Sequence, residues 1–381
     1  MKLVKKIFSF IAATACCAAI SGIIPFSSSA EASETYGDLS YTTVDSDGDG
    51  TDDYVEITDC NESAIKVNIP SEIGGLPITS VGTDAFSYCT NLTSVTIPDS
   101  VTSIQDWAFM WCTSLTSVNI PDGVASIGHE AFKGCTSLIS IYIPDSVIFI
   151  SDWAFDGCTS LISINIPPGV TSIEDGVFYN CTSLTNINIP YGVTSIGYAA
   201  FMKCTNLKSI KIPSSVIQIE NAAFSGCTSL TSLTIPNSVS SICDWTFMEC
   251  IGLTSIDIPN SITSIGLYAF YNCKGLISVT IKNPNCEIRD DENTFSETSA
   301  IYGYENSTVQ FYAEKYNRNF ILLGDISGSG SIDLYDAIEI SKYIMGMKTF
   351  TDEEKKIADF NADGTVDLYD VIEISRTLLP K

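Results

Sequence analysis

Between about residues 69 and 280 the apolar positions recur with a period of 23 residues. Nine cysteines mark the frame: Cys89, Cys112, Cys135, Cys158, Cys181, Cys204, Cys227, Cys250 and Cys273 are each 23 apart. One unit reads IPDSVTSIQDWAFMWCTSLTSVN, from Ile97 to Asn119, and seven more of equal length start at Ile120, Ile143, Ile166, Ile189, Ile212, Ile235 and Ile258. A longer first unit starts at Ile69 with an insert around Gly74, Gly75, Leu76 and Pro77, which makes nine units. Val101, Ile104, Phe109, Cys112, Leu115, Val118 and Ile120 are too few to close a core within one unit, so neighbouring units must stack to bury them. Val118 and Ile120, two apart as on one face of a short strand, with Leu115 leading into it, predict one strand per unit in a parallel stack. At roughly 4.8 Å per strand the stack is about 40 Å long. Pairs such as Asp99-Ser100 and Asp122-Gly123 after each proline supply the turn out of the strand.

The frame breaks at both ends. Residues 33–68 and 281–323 read as covers over the open ends of the stack, where apolar surface and unpaired backbone would otherwise face water. The second cover has a predicted helix, Ser307 to Tyr316, and a closing strand, Phe320 to Leu323. In the first, Asp45, Asp47, Asp49, Gly50, Asp53 and Glu56 fall at positions 1, 3, 5, 6, 9 and 12 of a calcium loop. Its flanks, Tyr41 to Val44 and Tyr54 to Ile57, read as strands, so a calcium site and a plain acidic hairpin turn both fit this segment.

From Gly324 onward two related segments follow one another 34 residues apart, DISGSGSIDLYDAIEISKYIM from Asp325 and DFNADGTVDLYDVIEISRTLL from Asp359. Each is a calcium loop feeding an amphipathic helix, with Ala337, Ile338, Ile340 and Ile344 in one copy and Val371, Ile372, Ile374 and Leu378 in the other. Asp359, Asn361, Asp363, Thr365, Asp367 and Asp370 occupy positions 1, 3, 5, 7, 9 and 12 of the second loop, Thr365 through its carbonyl, and Gly364 at position 6 permits the sharp turn. Hard oxygen ligands at this spacing suit calcium. The first loop offers Asp325, Ser327, Ser329, Ser331, Asp333 and Asp336, with fewer carboxylates, and is expected to bind calcium more weakly, so that the two sites fill in sequence. Val366 and Ile332, between the ligands, are expected to face a core that ties the loops together. No helix is expected before either loop.

The repeat resembles the bacterial surface-antigen class of leucine-rich repeat, whose IP, VxSI, AF and C-T-S-L signature runs through all nine units. The resemblance implies a secreted solenoid used for binding or display. Residues 324–381 resemble a dockerin, the module that plugs proteins into cohesins of cellulosome scaffoldins. That resemblance implies that loop positions 10 and 11 and the following helix read the cohesin, here Leu334, Tyr335 and Lys342, mirrored by Leu368, Tyr369 and Arg376. It also implies that either of two near-identical faces can dock. Ser327 and Ser329 depart from the family's usual Asn or Asp at those positions. The expected fold is thus a leucine-rich-repeat solenoid, a parallel β-stack of 23-residue repeats, followed by a small all-α dockerin with two calcium loop-helix motifs.

Charge and composition narrow the partners. Lys and Arg number 19 against 45 Asp and Glu, a net charge of −26, which disfavours nucleic acid and anionic lipid. A single histidine, His129, with no nucleophile pattern around it, leaves little for proton-transfer or zinc chemistry. Residues 1–32 read as a secretory signal peptide: Lys2, Lys5 and Lys6, an apolar run from Ile7 to Phe26, and a small polar stretch ending at Ala32. Cys16 and Cys17 raise a lipoprotein alternative, against which Ala13 stands where leucine is usual. No later stretch reaches the roughly 18 apolar residues of a membrane span. The expected location is extracellular, on a cellulosome or cell surface through a cohesin.

The cysteine ladder invites a disulfide or metal reading, but equivalent side chains on stacked strands point the same way, whereas a disulfide needs converging Cβ vectors. Buried thiols acting as small apolar side chains are expected, with Cys60, Cys243 and Cys286 left undecided. Two rows face out along the strands, a serine-rich one (Ser94, Ser117, Ser140) and a varied one (Asn119, Tyr142, Asn165, Lys211, Asp257, Thr280). They fit a sugar or protein ligand, and equally a solvated sheet face. A loop row holds Trp107, Glu130, Trp153 and Trp245, suited to carbohydrate stacking, a protein hot spot or burial against the next unit. The functional expectation is a noncatalytic secreted component whose dockerin binds a cohesin and whose solenoid binds polysaccharide or protein. The alternatives are a dockerin-bearing polysaccharide-degrading enzyme, for which the strand rows offer only Asp257 as a carboxyl, and a free adhesin or inhibitor.

Overall fold

The computed structural model describes residues 34–289 and 291–379; the signal peptide read at 1–32, with Cys16 and Cys17, lies outside the described residues. Each 23-residue unit makes one coil, and each coil has two extended sides rather than one. The expected ladder contains Lys66–Asn68, Ser94–Thr96 and Ser117–Asn119 in parallel register and continues through Ser140–Ile141 and Ser163–Ile164. A second parallel ladder, absent from the sequence reading, joins Leu76–Val81, Ser103–Ile104, Ser126–Ile127 and Phe149–Ile150. The correction has a physical cause. The chain turns twice per unit, at the proline and at the Ala-Phe segment. The straight side between, pulled in by buried Val101 and Ile104, must pair its backbone groups with a neighbour.

The Ala-Phe turn is itself bonded from coil to coil. Trp107 N–H donates to the His129 carbonyl at 2.8 Å, Phe109 to Ala131 at 2.7 Å and Trp111 to Lys133 at 2.7 Å. Two residues of each such turn are left-handed, among them Trp107 (φ 57°) and Trp111 (φ 58°), and Ala199 (φ 53°) and Lys203 (φ 63°). The turn points its phenylalanine inward. Phe86, Phe109, Phe132 and their equivalents onward to Phe295 form one stack with centroids 5.0 to 6.0 Å apart and planes within 21° of parallel. Beside each ring lies a ladder cysteine. Cys112 Sγ donates to the Phe86 carbonyl at 3.0 Å and Cys135 to Phe109 at 3.2 Å, and the bond recurs as far as Cys273 on Phe247. No disulfide joins any cysteine among the described residues.

At the N-terminal end three antiparallel strands, Glu34–Tyr36, Leu39–Val44 and Tyr54–Cys60, lead into the second ladder by parallel pairing of Tyr54–Cys60 with Leu76–Val81. At the other end coiling continues past residue 280: Glu287–Ile288 extends one ladder, and Ala300–Gly303 and Asn319–Leu322 extend the other. Helix α1 (Thr308–Lys315), capped by the Ser307 side chain, closes the stack by setting Tyr312 edge-on to Phe295 at 5.6 Å.

The C-terminal segment holds α2 (Leu334–Ile344), α3 (Asp352–Ala358) and α4 (Leu368–Thr377), each started by a capping box, from Asp333, Thr351 and Asp367. Helix α3 runs directly into the second loop, which corrects the expectation that no helix precedes either loop. Its sequence, DEEKKIA, is short and has no apolar period, so only the Thr351–Glu354 capping box marks it. Ala337, Ile340, Phe350, Ala358, Phe360 and Ile374 form a small core that also takes in Tyr302 and Leu323 of the solenoid's last coil, with Ile332 and Val366 packed at its edge.

Candidate functional site

The two loops share one hydrogen-bond plan. In the second, Asp359 accepts the amides of Asp363 (3.0 Å) and Gly364 (2.9 Å), and Asp370 accepts those of Asn361 (3.0 Å) and Asp367 (2.8 Å). In the first, Asp325 takes Ser329 (2.9 Å) and Gly330 (2.7 Å), and Asp336 takes Ser327 (2.9 Å) and Asp333 (2.8 Å). Positions 1 and 12 thereby draw the loop backbone into a ring. Thr365 donates its amide and hydroxyl to Asp363, while Ser329 donates to the Ser331 carbonyl at 2.9 Å. The positive φ required at position 6 falls on Gly330 (φ 89°) and Gly364 (φ 96°).

Asp336 and Asp370 are fully buried, and no lysine or arginine pairs with any loop carboxylate among the described ion pairs. Burial, with Asp370 and Asp363 close by, pushes the Asp359 carboxyl up to about 6 against the pull of its amide donors. Buried carboxylates without a counter-charge are costly, and an all-oxygen set of this spacing matches a hard dication. The residues therefore fit calcium in both loops, with more carboxylate in the second.

Leu334 and Tyr335 start α2, Leu368 and Tyr369 start α4, and all four side chains are more than half exposed. Lys342 leans back to Glu339 (2.6 Å) and lies 5.9 Å from the Tyr335 ring centre; Arg376 pairs likewise with Glu373 at 2.5 Å. Three residues that sequence reasoning missed also shape the first face. Glu339, shielded by the hydrogen bonds of Lys342 and Lys348, has its carboxyl held down at about 2. Met345 and Met347 extend the apolar surface beyond the helix. Ile338 and Ile344, expected on the buried stripe, face outward and enlarge it too, whereas Ala337 and Ile340 are buried.

The N-terminal hairpin brings Asp45, Asp47 and Asp49 within 4.8 Å of one another, all exposed. The other two acidic residues of the expected set have partners of their own. Asp53 turns to the amide and hydroxyl of Ser46, and Glu56, on a strand, accepts the Gln105 side chain at 2.6 Å.

The solenoid's outward row is exposed at Asn119, Tyr142, Lys211 and Asp257, whereas Asn165 bonds the backbone of Ile143 and Thr280 is buried beneath the C-terminal module. Trp153 lies across Gly176 of the next coil, and Trp107 donates to Glu130 at 3.2 Å with His129 edge-on at 5.9 Å. These tryptophans are therefore partly occupied by their neighbours rather than free platforms.

The chain matches the family of BspA type Leucine rich repeat region in six copies over residues 79–208 and 194–311, and the Dockerin type I domain over residues 323–379. No curated protein matches the chain. Among solved structures it is similar to a leucine-rich repeat protein from Bacteroides ovatus, with 30% identity, TM-score 0.67 and 76% of each chain covered. It is also similar to a leucine rich cell surface protein from Faecalibacterium prausnitzii, with 29% identity, TM-score 0.52, and 79% of this chain and 95% of that one covered.

Proposed function

Because the chain belongs to the BspA-type leucine-rich repeat family and ends in a dockerin type I domain, we propose that it is a noncatalytic, secreted component of a cellulosome or cell surface. The dockerin binds a scaffoldin cohesin in a calcium-dependent manner, and the solenoid binds a polysaccharide or protein partner. The reading is carried by the duplicated loop-helix unit, with an exposed Leu-Tyr pair and a basic residue presented from α2 and again from α4. Calcium, held by the six oxygen positions of each loop, would neutralise the buried carboxylates and fix the orientation of the helix that follows. The two matched regions are a repeat and a docking module, which supports the noncatalytic reading, and the Faecalibacterium neighbour is by its title a cell surface protein.

The test is binding of the full chain to a panel of cohesins in calcium and in chelator. Tight binding in calcium alone is expected. With both faces competent, Leu334→Ala with Tyr335→Ala is tolerated, and adding Leu368→Ala with Tyr369→Ala abolishes it. A calcium-loaded chain that binds none of the panel would overturn the docking assignment.

A further inference from the structure

The two calcium loops are not equivalent in their surroundings. Solenoid residues reach the second one: Tyr304 donates its hydroxyl to the Phe360 carbonyl at 2.9 Å with the two rings edge to face at 5.4 Å, and Lys282 donates to the Ala362 carbonyl. Those carbonyls belong to positions 2 and 4 of the loop. In the first loop the same positions are Ile326 and Gly328, and among the described residues no solenoid side chain bonds either one.

The difference matters at position 4, where both loops are left-handed, with φ 70° at Gly328 and 54° at Ala362. Glycine takes this conformation freely, whereas a residue with a Cβ holds it at a cost. In the second loop the carbonyl of that alanine is tied to Lys282, and the carbonyl two residues earlier to Tyr304. Two clefts flank this junction, and residues of the second loop line both.

We infer that Tyr304 and Lys282, contributed by the solenoid, are positioning residues for the second calcium site, so that calcium uptake there and the integrity of the solenoid's last coil are coupled. The inference rests on the calcium reading of the loops. Coupling of this kind is reciprocal: what holds the loop ready for the cation must itself be held more firmly once the cation is bound. Lys282 also brings a positive charge toward the loop, so its removal would mix a lost tie with relieved repulsion. Tyr304 is neutral, and Tyr304→Phe keeps the ring while deleting only the donor.

The experiment uses the full chain, with calcium uptake followed by calorimetry and amide exchange followed over Ala300–Gly303 and Asn319–Leu322. Calcium is expected to slow exchange in these strands roughly tenfold, and Asp363→Ala, at an exposed position of the second loop, is expected to remove that effect. Tyr304→Phe is expected to weaken the second site by roughly fivefold, about the weight of one hydrogen bond, to leave the first unchanged and to shrink the calcium effect on the strands. If the second loop fills with calcium while strand exchange stays the same, or if Tyr304→Phe alters neither measurement, the coupling is refuted and the calcium reading stands. If neither loop takes up calcium, both fall together.

Discussion

At the scale of single residues, Asp359 carries a pH dependence. Its carboxyl is pushed up to about 6 chiefly by burial, whereas in an unfolded chain it ionises near its ordinary value of 3.8. In the calcium-free chain, therefore, the folded form gains from a neutral Asp359 below about pH 4, and this contribution is lost as the pH rises through about 6. Calcium needs the ionised form and displaces the proton, so the affinity of the second loop should fall by up to about tenfold per pH unit below pH 6 and level off above it. Calcium titrations at pH 5, 6 and 7 check this; equal affinities at all three would remove Asp359 from the binding step. The shared plan of the two C-terminal loops was legible because oxygen-bearing side chains recur there at fixed offsets. In the hairpin the spacing allowed both a calcium loop and an acidic turn, and the structure agrees with each: Asp45, Asp47 and Asp49 lie together, while Asp53 bonds Ser46 and Glu56 bonds Gln105. The left-handed residues left no trace: Trp107 and Lys203 are not turn formers, and they hold φ near 60° only because the next coil bonds their amides. Each costs about 1 kcal/mol that coil-to-coil hydrogen bonding must offset.

Among elements, the Ala-Phe turn is the most constrained. At Gly176 a Cβ would meet Trp153 Cε3 at 2.2 Å, whereas at Gly157 the nearest atoms are 3.7 Å away. Both are left-handed, so alanine at either costs roughly 1 kcal/mol of backbone strain. At Gly176 the indole must also swing aside, so Gly176→Ala should lose about 2 kcal/mol or more. Denaturant titration with near-ultraviolet circular dichroism separates the cases: equal losses and an unchanged aromatic signal would mean that the Trp153 ring contributes nothing there. The period of 23 revealed the stacked units, and outside that frame the Ser307 cap and a short apolar run marked the helix and strand of the last coil. The period concealed the second ladder. Ser103–Ile104 is two residues long, too short for alternation to register, and it exists only because a neighbouring coil supplies the partner.

In the whole molecule, stability is a sum over coils that touch only their neighbours. Excision of residues 166–188 should let Phe155 stack on Phe201 and leave cohesin binding intact, with the denaturant m-value lower by about a tenth, in proportion to the surface lost. A chain that fails to fold would show instead that the coils are individually indispensable. Docking of the C-terminal module on the last coil was not legible, since Lys282, Tyr304 and Lys356 belong to segments with no shared pattern. Lys356 reaches across the junction from the module's side, bonding Ser278 at 3.1 Å and lying 4.5 Å from the Tyr302 ring centre. The thiol ladder bears on a different property. Each sulfur from Cys112 to Cys273 is given to a carbonyl rather than to another sulfur, and burial pushes these thiols well above their ordinary range, Cys204 to about 12. Thiolate, the form that oxidants and thiol exchange attack, is therefore scarce. A scaffold held together in this way has no bond for a reductant to cut and little for an oxidant to seize, so its integrity is indifferent to the redox potential of its surroundings.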